Sequence, residues 1–228
     1  LKGKKIFSIA VMPCTAKKYE AIRPEFKRAD GTDTIDAVLT TQELVQMIRE
    51  AGIHFDEIQP ESPSMPFGGT SGAGVIFGVT GGVTEAVLRY ANSDKSYSAL
   101  REIAQSGVRG LEGVKEMTYD LGDTQLKIAM VSGLANTENL IRKIQAGEVE
   151  YHLVEVMACP NGCVSGAGQP FALREEKQKR ADNLYKTDGM TQIKRAEENP
   201  ALGEIYAQCI GERAHELLHV HYHPKHED

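Results

Sequence analysis

The sequence predicts an α/β protein: a sheet with helices on both faces. Three observations carry that prediction. Short apolar, β-branched runs recur along the chain and alternate with amphipathic stretches. Thr40-Thr41-Gln42-Glu43 is a capping box, a local signal that opens a helix. Two of the apolar runs end in cysteine segments rich in Pro and Gly, V-M-P-C-T-A-K-K-Y-E at 11–20 and V-M-A-C-P-N-G-C-V-S-G-A-G-Q-P at 156–170. The loop beyond a strand end is where open α/β folds bind their ligands.

In chain order, residues 4–12 alternate and run apolar, as a strand does, and 36–39 form a second short strand. The capping box starts a helix that runs to about Ala51, with Leu44, Val45 and Ile48 on its apolar face. Residues 59–75 are rich in Pro, Ser and Gly and read as a loop. Residues 75–91 read as a helix despite Gly78, Gly81 and Gly82. Each such glycine costs about 1 kcal/mol relative to Ala, so another element is expected to pack very close there. Residues 114–121 and 125–132 form a hairpin around Gly122-Asp123. A helix at 136–145 stops at Gly147. The run at 151–158 delivers the second cysteine segment, and helices follow at about 171–185 and 200–219.

Composition narrows the function classes. The 228 residues are 41% apolar and 25% charged, values of an ordinary globular chain long enough to bury a core. A net charge of −6 leaves no basic footprint for nucleic acid. No apolar run approaches the roughly 20 residues of a membrane span, and Leu1-Lys-Gly-Lys-Lys opens no signal peptide. Four cysteines are too few for a disulfide scaffold. A reducing, cytoplasmic setting is expected, with the periplasm as the alternative. The first residue is Leu, as in a processed chain or a piece of a longer one.

Two motifs resemble sites and have plainer readings. Gly68-Gly69-Thr70-Ser71-Gly72-Ala73-Gly74 looks like a phosphate cradle, but it lacks the Lys-Ser/Thr of a P-loop and follows a Pro-rich stretch. Close backbone approach is its expected use. His215-Glu216-Leu217-Leu218-His219 matches H-E-x-x-H, in which His215 and His219 grip zinc and Glu216 acts as base. Against this, Leu202, Ile205, Tyr206, Ile210, Leu217 and Leu218 make an apolar packing stripe on the same predicted helix. The other tail histidines are His221, His223 and His226. Cys209, also on that helix, reads as a small buried hydrophobe.

Cys14, Cys159 and Cys163 are the stronger signal. In each segment a Met, Met12 or Met157, stands two residues before the first Cys. The C-P-N-G-C turn is expected to point both of its thiols inward. Soft thiolates at strand ends suit an iron–sulfur cluster or zinc; buried structural cysteines are the bland alternative. A cubane would be one ligand short with these three, and zinc would need Cys209 or a His as its fourth.

These segments resemble known signatures. M-P-C-T-A-K-K-Y-E is similar to the second signature of the iron-only (di-iron) hydrogenase catalytic domain, and E-V-M-A-C-P-N-G-C-V-S-G-A-G-Q-P to the third. S-G-A-G-V-I-F-G-V-T-G-G-V-T-E-A-V-L-R resembles the long helical segment of that family. Y-A-Q-C-I-G-E-R-A-H-E-L-L-H-V-H-Y resembles its small-subunit-like C-terminus, which accounts for His215 and His219 without zinc. The resemblance spans essentially the whole chain.

The resemblance implies a two-lobed α/β catalytic domain, with 1–170 as the C-terminal, H-cluster-bearing region of the large subunit and 171–228 as the small-subunit-like region. It implies reversible reduction of protons to hydrogen at an H-cluster, a 4Fe–4S cubane joined to a two-iron unit carrying carbon monoxide, cyanide and a dithiolate. By motif position, Cys14 and Cys159 would ligate the cubane and Cys163 would bridge it to the two-iron unit. Lys17 would donate hydrogen bonds to a cyanide. Met12 and Met157 would line the two-iron unit. The partners implied are the upstream half of the domain and a ferredoxin or nicotinamide-linked redox subunit.

The chain departs from the family pattern in places. The first signature, T-S-C-C-P-x-W, with the fourth cubane ligand and the proton-relay cysteine, is not among these residues, so the isolated chain is expected to be inactive. Asn161, Ser165 and Ala167 replace usual glycines, and Thr84 a usual Met. Two rivals are an iron–sulfur assembly relative without hydrogen chemistry and a zinc hydrolase using His215 and His219.

Overall fold

The structure, a computed structural model, describes residues 5–62, 64, 69–122 and 124–223. The expectations that touch Lys4, Gly68, Asp123 and His226 lie outside the described residues. The chain divides into two compact units: Leu1–Ser64 with Ala167–Pro170 and Gly203–Asp228, and Met65–Gly166 with Phe171–Leu202.

The first unit is built on β1 (Ile9–Met12), α1 (Ala16–Ala21), β2 (Ala37–Thr40) and α2 (Thr41–Glu50). β1 and β2 pair in parallel, Ile9 opposite Ala37 and Met12 opposite Thr40. The strand predicted at 4–12 forms only over its last four residues, because β2 offers it a ladder of only four. The capping box forms as predicted: Glu43 N donates to Thr40 Oγ1 at 3.2 Å and Thr40 N to Glu43 Oε2 at 2.8 Å. Little of this unit is buried; Ile9 is 54% and Val11 46% exposed.

The second unit contains α3 (Gly72–Val75), α4 (Gly82–Ala91), α5 (Tyr97–Ile103), β3 (Val114–Asp120), β4 (Gln125–Ser132), α6 (Leu134–Gln145), β5 (Leu153–Met157) and α7 (Arg174–Met190). The strand order is β3-β4-β5, with β4 antiparallel to β3 and parallel to β5. β4 is the central strand. Its Ile128 and Met130 join Leu88 of α4 and Ile103 of α5 on one face, while Ala129 and Val131 join Leu140 of α6 on the other. This is the predicted sheet with helices on both faces, and it explains the unbroken burial of residues 128–132.

Three expectations change. The loop predicted over 59–75 ends early, because Ser71 caps α3 by accepting from Gly74 N at 3.2 Å. The helix predicted over 75–91 is broken: a 3₁₀ turn at Ile76–Gly78 leads to Gly81 at φ +91°, and α4 starts after it. The close packing expected from the glycines is the cause of that break. A Cβ on Gly81 would lie 2.0 Å from the Val108 carbonyl oxygen, and one on Gly78 2.8 Å from Leu184 Cδ1. The helix predicted over 200–219 is also interrupted, into α8 (Pro200–Ile205), a wide turn at Tyr206–Ile210, a 3₁₀ turn at Gly211–Arg213 and α9 (Ala214–Leu218). Tyr206, Leu217 and Leu218 stay exposed, so the expected packing stripe is not buried.

Candidate metal centre

In the first unit, β1 ends at Met12 and α1 begins at Ala16, so Cys14 sits in the strand-to-helix turn, half-buried. The turn is held from behind by residues 167–170. Gly168 N donates to Pro13 O at 3.1 Å, and Gln42 N to Gly168 O at 3.0 Å. A Cβ on Gly168 would lie 2.8 Å from Cys14 N, which is why this position takes glycine. Lys17, in the first turn of α1, pairs with Glu20. Met12 and Lys17 line one cavity of about 220 Å³, with Glu20, Phe26, Ile35 and Val38 among its walls. Lys18 turns the other way, to Glu43 at 2.8 Å. That hydrogen bond, with the Thr40 N–H, holds the Glu43 carboxyl down at about 2.

In the second unit, β5 ends at Met157 and leads into the C-P-N-G-C turn. Cys159 is half-buried and Cys163 exposed, so the expectation that both thiols point inward holds for neither fully. The turn is closed by Gly162 N to Cys159 O at 3.1 Å and Gly166 N to Cys163 O at 2.9 Å. Asn161 and Gly162 both take positive φ, +68° and +90°. Asn161 is tied down at three atoms. Its N–H donates to Ser132 Oγ at 3.1 Å, its Nδ2 to Ser165 Oγ at 3.3 Å, and its carbonyl accepts from Thr80 N at 3.3 Å. A Cβ on Gly162 would meet Thr80 N at 2.8 Å and Met157 Sδ at 2.9 Å.

Sequence reasoning missed the polar residues behind this turn. Glu155 of β5 is buried and accepts from Gly81 N (2.5 Å), Thr84 N (2.8 Å) and Thr84 Oγ1 (2.9 Å). It thereby ties the start of α4 to the strand that carries Met157. Lys115 Nζ spends its three protons on the carbonyls of Thr80, Val108 and Gly110, at 2.9, 2.7 and 3.0 Å. Burial pushes the Lys115 ammonium below its usual value, against the opposing charge of Glu155. The signal was present: a Glu in the apolar run L-V-E-V-M demands a buried partner. Deeper in this unit, Arg89 forms a bidentate pair with Asp188 (2.8 and 2.8 Å) and reaches Glu85 at 2.6 Å, while Arg109 binds Glu85 at 2.8 Å. These carboxylates hold α4 and α7 together.

The tail does not form the zinc helix. α9 ends at Leu218, leaving His219 in extended backbone. Glu216 is engaged through both oxygens by Arg213, at 3.0 and 2.7 Å. Among the described residues, no three His, Cys, Asp or Glu side chains converge as a metal-ion site. Cys209, expected to be buried, is exposed. Met12, Cys14 and Lys17 belong to the first unit, and Met157, Cys159 and Cys163 to the second.

The donors present fit an iron–sulfur cluster in kind: thiols in strand-end turns, cleared by glycines.

Comparison with known proteins assigns the class. Residues 1–167 match the family described as iron only hydrogenase large subunit, C-terminal domain, and residues 174–225 match the iron hydrogenase small subunit. The chain belongs to the iron-only hydrogenase family. Among individual relatives, it is 40% identical to the NADP-reducing hydrogenase subunit HndD of Solidesulfovibrio fructosivorans, over 96% of this chain and 38% of that protein. It is 40% identical to iron hydrogenase 1 of Clostridium pasteurianum, over 97% and 40%. Cytosolic iron-sulfur assembly component 3 of Mus musculus is also similar, at 33% over 98% and 48%. A solved FeFe-hydrogenase HydA1 variant from Chlamydomonas reinhardtii superposes with a TM-score of 0.71 at 36% identity, covering 95% of this chain and 62% of that one. The chain thus spans 38–48% of the length of the curated relatives named here. No helix among the described residues is long and apolar enough to cross a membrane.

Proposed function

We propose that this chain is the C-terminal part of an iron-only hydrogenase catalytic domain and that the complete domain interconverts protons and hydrogen with a ferredoxin-type electron partner. The observation that carries the reading is the pair of strand-end cysteine turns, each cleared by a glycine whose Cβ would strike backbone within 2.8 Å. In this reading residues 1–170 carry the large-subunit part and 171–228 the small-subunit-like part, and the family matches at 1–167 and 174–225 support that division.

Cys14 and Cys159 would hold the cubane and Cys163 would bridge it to the two-iron unit, with the fourth cubane thiolate coming from outside these residues. Bound, the H-cluster would supply the metal at which protons are reduced, with the electrons coming from the redox partner. The chain's own residues supply the surroundings. Lys17 places an ammonium on a largely apolar cavity wall, suited to an anionic cyanide. Met12 lines the same cavity with a polarisable, aprotic side chain, and Met157 sets its sulfur beside Gly162 in the second cysteine turn. Ser132, Thr80 and Ser165 hold the Cys159–Cys163 turn still.

The test is to produce the chain joined to the upstream half of the domain, load it with cluster, and measure iron, infrared bands of bound carbon monoxide and cyanide, and hydrogen evolution. Cys163→Ser is expected to keep cubane iron and lose those bands, and Lys17→Ala to shift the cyanide bands. A protein that binds iron yet never shows them, with no hydrogen evolved, would overturn the reading in favour of an assembly-type relative.

A further inference from the structure

One wall of the cavity that holds Met12 and Lys17 is gripped from outside by the far end of the chain. Phe26 and Thr34 line that cavity and lie in the stretch between α1 and β2. Thr34 Oγ1 donates to the Phe26 carbonyl, but residues 27–32 are exposed, so the stretch has little core of its own to fix it. The tail supplies a grip. His223 N donates to Glu25 Oε1 at 3.1 Å, and Arg23 Nη2 donates to His223 O at 3.2 Å. Arg23 holds the same Glu25 carboxylate through Nε and Nη2, at 3.1 and 2.7 Å. The Arg23 guanidinium carbon stands 4.8 Å from the centre of the Tyr222 ring, and that ring lies 6.1 Å from the ring of Phe26. At these distances cation–π and aromatic pairs attract. The two tail hydrogen bonds join residues 198 and 200 positions apart, all within the first unit. Tyr222 is 58% exposed, so its ring fills no core. Its contacts fall on Arg23 and Phe26, the segment that forms the cavity wall.

We propose that Tyr222 is a positioning residue for the Met12–Lys17 cavity: with His223 it straps the Arg23–Phe26 segment down and so fixes Phe26 as a wall. It acts through Phe26 and touches no bound group. The proposal rests on the hydrogenase reading above only for what the cavity faces when the protein is loaded. A wall that moves leaves Lys17 and Met12 in a less uniform setting, and a vibration sensed there broadens or shifts.

The experiment compares the parent, Tyr222→Ala and Tyr222→Phe, each in the chain joined to the upstream half of the domain. Hydrogen exchange of the cluster-free proteins reads the strap. Phe26 N donates to Arg23 O and Lys27 N to Pro24 O, both at 3.1 Å, so these amides report on the wall. In Tyr222→Ala they are expected to exchange about tenfold faster, the loss of one cation–π and one aromatic pair. The amides of α2, in the same unit, keep the parent's rates. Tyr222→Phe, which keeps the ring, behaves as the parent. Infrared spectra of the loaded proteins read the site: Tyr222→Ala is expected to shift or broaden the cyanide bands, and Tyr222→Phe to leave them unchanged. Unchanged exchange at Phe26 in Tyr222→Ala, faster exchange spread equally over α2, or a Tyr222→Phe protein that behaves as Tyr222→Ala would each overturn the proposal. So would cyanide bands that stay at the parent's position and width while Phe26 exchanges faster, because the strap then does not reach the site. If the loaded parent shows no such bands, the hydrogenase reading has failed, and the positioning role with it, whatever the exchange rates show of the strap.

Discussion

The two cysteine turns stand on different foundations. The Cys159–Cys163 turn leaves a strand whose neighbour, β4, is buried over 128–132, and it is fastened by side chains: Ser132, Ser165, and Glu155 one layer back. The Cys14 turn leaves a two-stranded sheet with exposed Ile9 and Val11 and, among the described residues, is fastened by backbone through Gly168 and Pro13. A turn in a deep unit can be locked by buried polar groups, because the protein around it supplies their partners. A turn in a shallow unit is placed by chain passing close behind it, which glycine permits.

The largest effect expected from this contrast is at Glu85. Replacing it with Ala leaves Arg89 and Arg109 without one of their two carboxylates in a buried site, and the cost is about 3–5 kcal/mol. Denaturant unfolding followed by hydrogen exchange is expected to show the loss in α4 and α7 and little change in β1 and β2. Uniform loss over both units would break the comparison.

Next come the two glycines. Gly162→Ala meets both strain at φ +90° and contacts at 2.8–2.9 Å, and is expected to cost about 3 kcal/mol. Gly168→Ala meets only the close contact with Cys14 N and Pro13 C, and is expected to cost about 1–2 kcal/mol. Iron retention in the loaded protein follows the same order. An equal cost at both sites would show that contact alone, not backbone strain, sets the difference.

The smallest effect concerns acid. Burial raises the Asp188 carboxyl pKa, but the hydrogen bond and charge of Arg89, helped by Arg109 and Lys194, more than reverse this and leave it lowered. A carboxyl whose folded value lies below its unfolded value stabilises the fold above the ordinary Asp range near 3.9. That contribution is lost as pH falls through the folded value. Glu43 behaves likewise over the interval from 4.5 down to about 2, but it is solvent-exposed. Acid titration of stability is therefore expected to open the α4–α7 contact more than α2. Equal sensitivity of Asp188→Asn and Glu43→Gln proteins would contradict this.

Much of this was legible locally. Thr40 and Glu43 reach each other across one turn, so a four-residue pattern specifies the cap of α2. The hairpin forms over Val114–Asp120 and Gln125–Ser132 because both strands and their turn are contiguous. The break at Gly81 was not legible, because its cause is the carbonyl of Val108, far along the chain. The same holds for Glu155, which needs Gly81 and Thr84 from more than 70 residues upstream. The H-E-x-x-H motif misled for the opposite reason: its spacing implies a helix, but the chain leaves the helix at Leu218 and Arg213 takes up Glu216.

The sequence by itself determined the α/β class, the two cysteine turns and the family, because these depend on residue type and short-range spacing. Only the tertiary structure decided how each turn is held. It placed Gly168 behind Cys14, and it tied Glu155 and Lys115 to the segment whose Thr80 N–H holds the Cys159–Cys163 turn. The physical reason is that a buried polar group or a sub-van der Waals approach is defined by its partner, and these partners are remote in sequence.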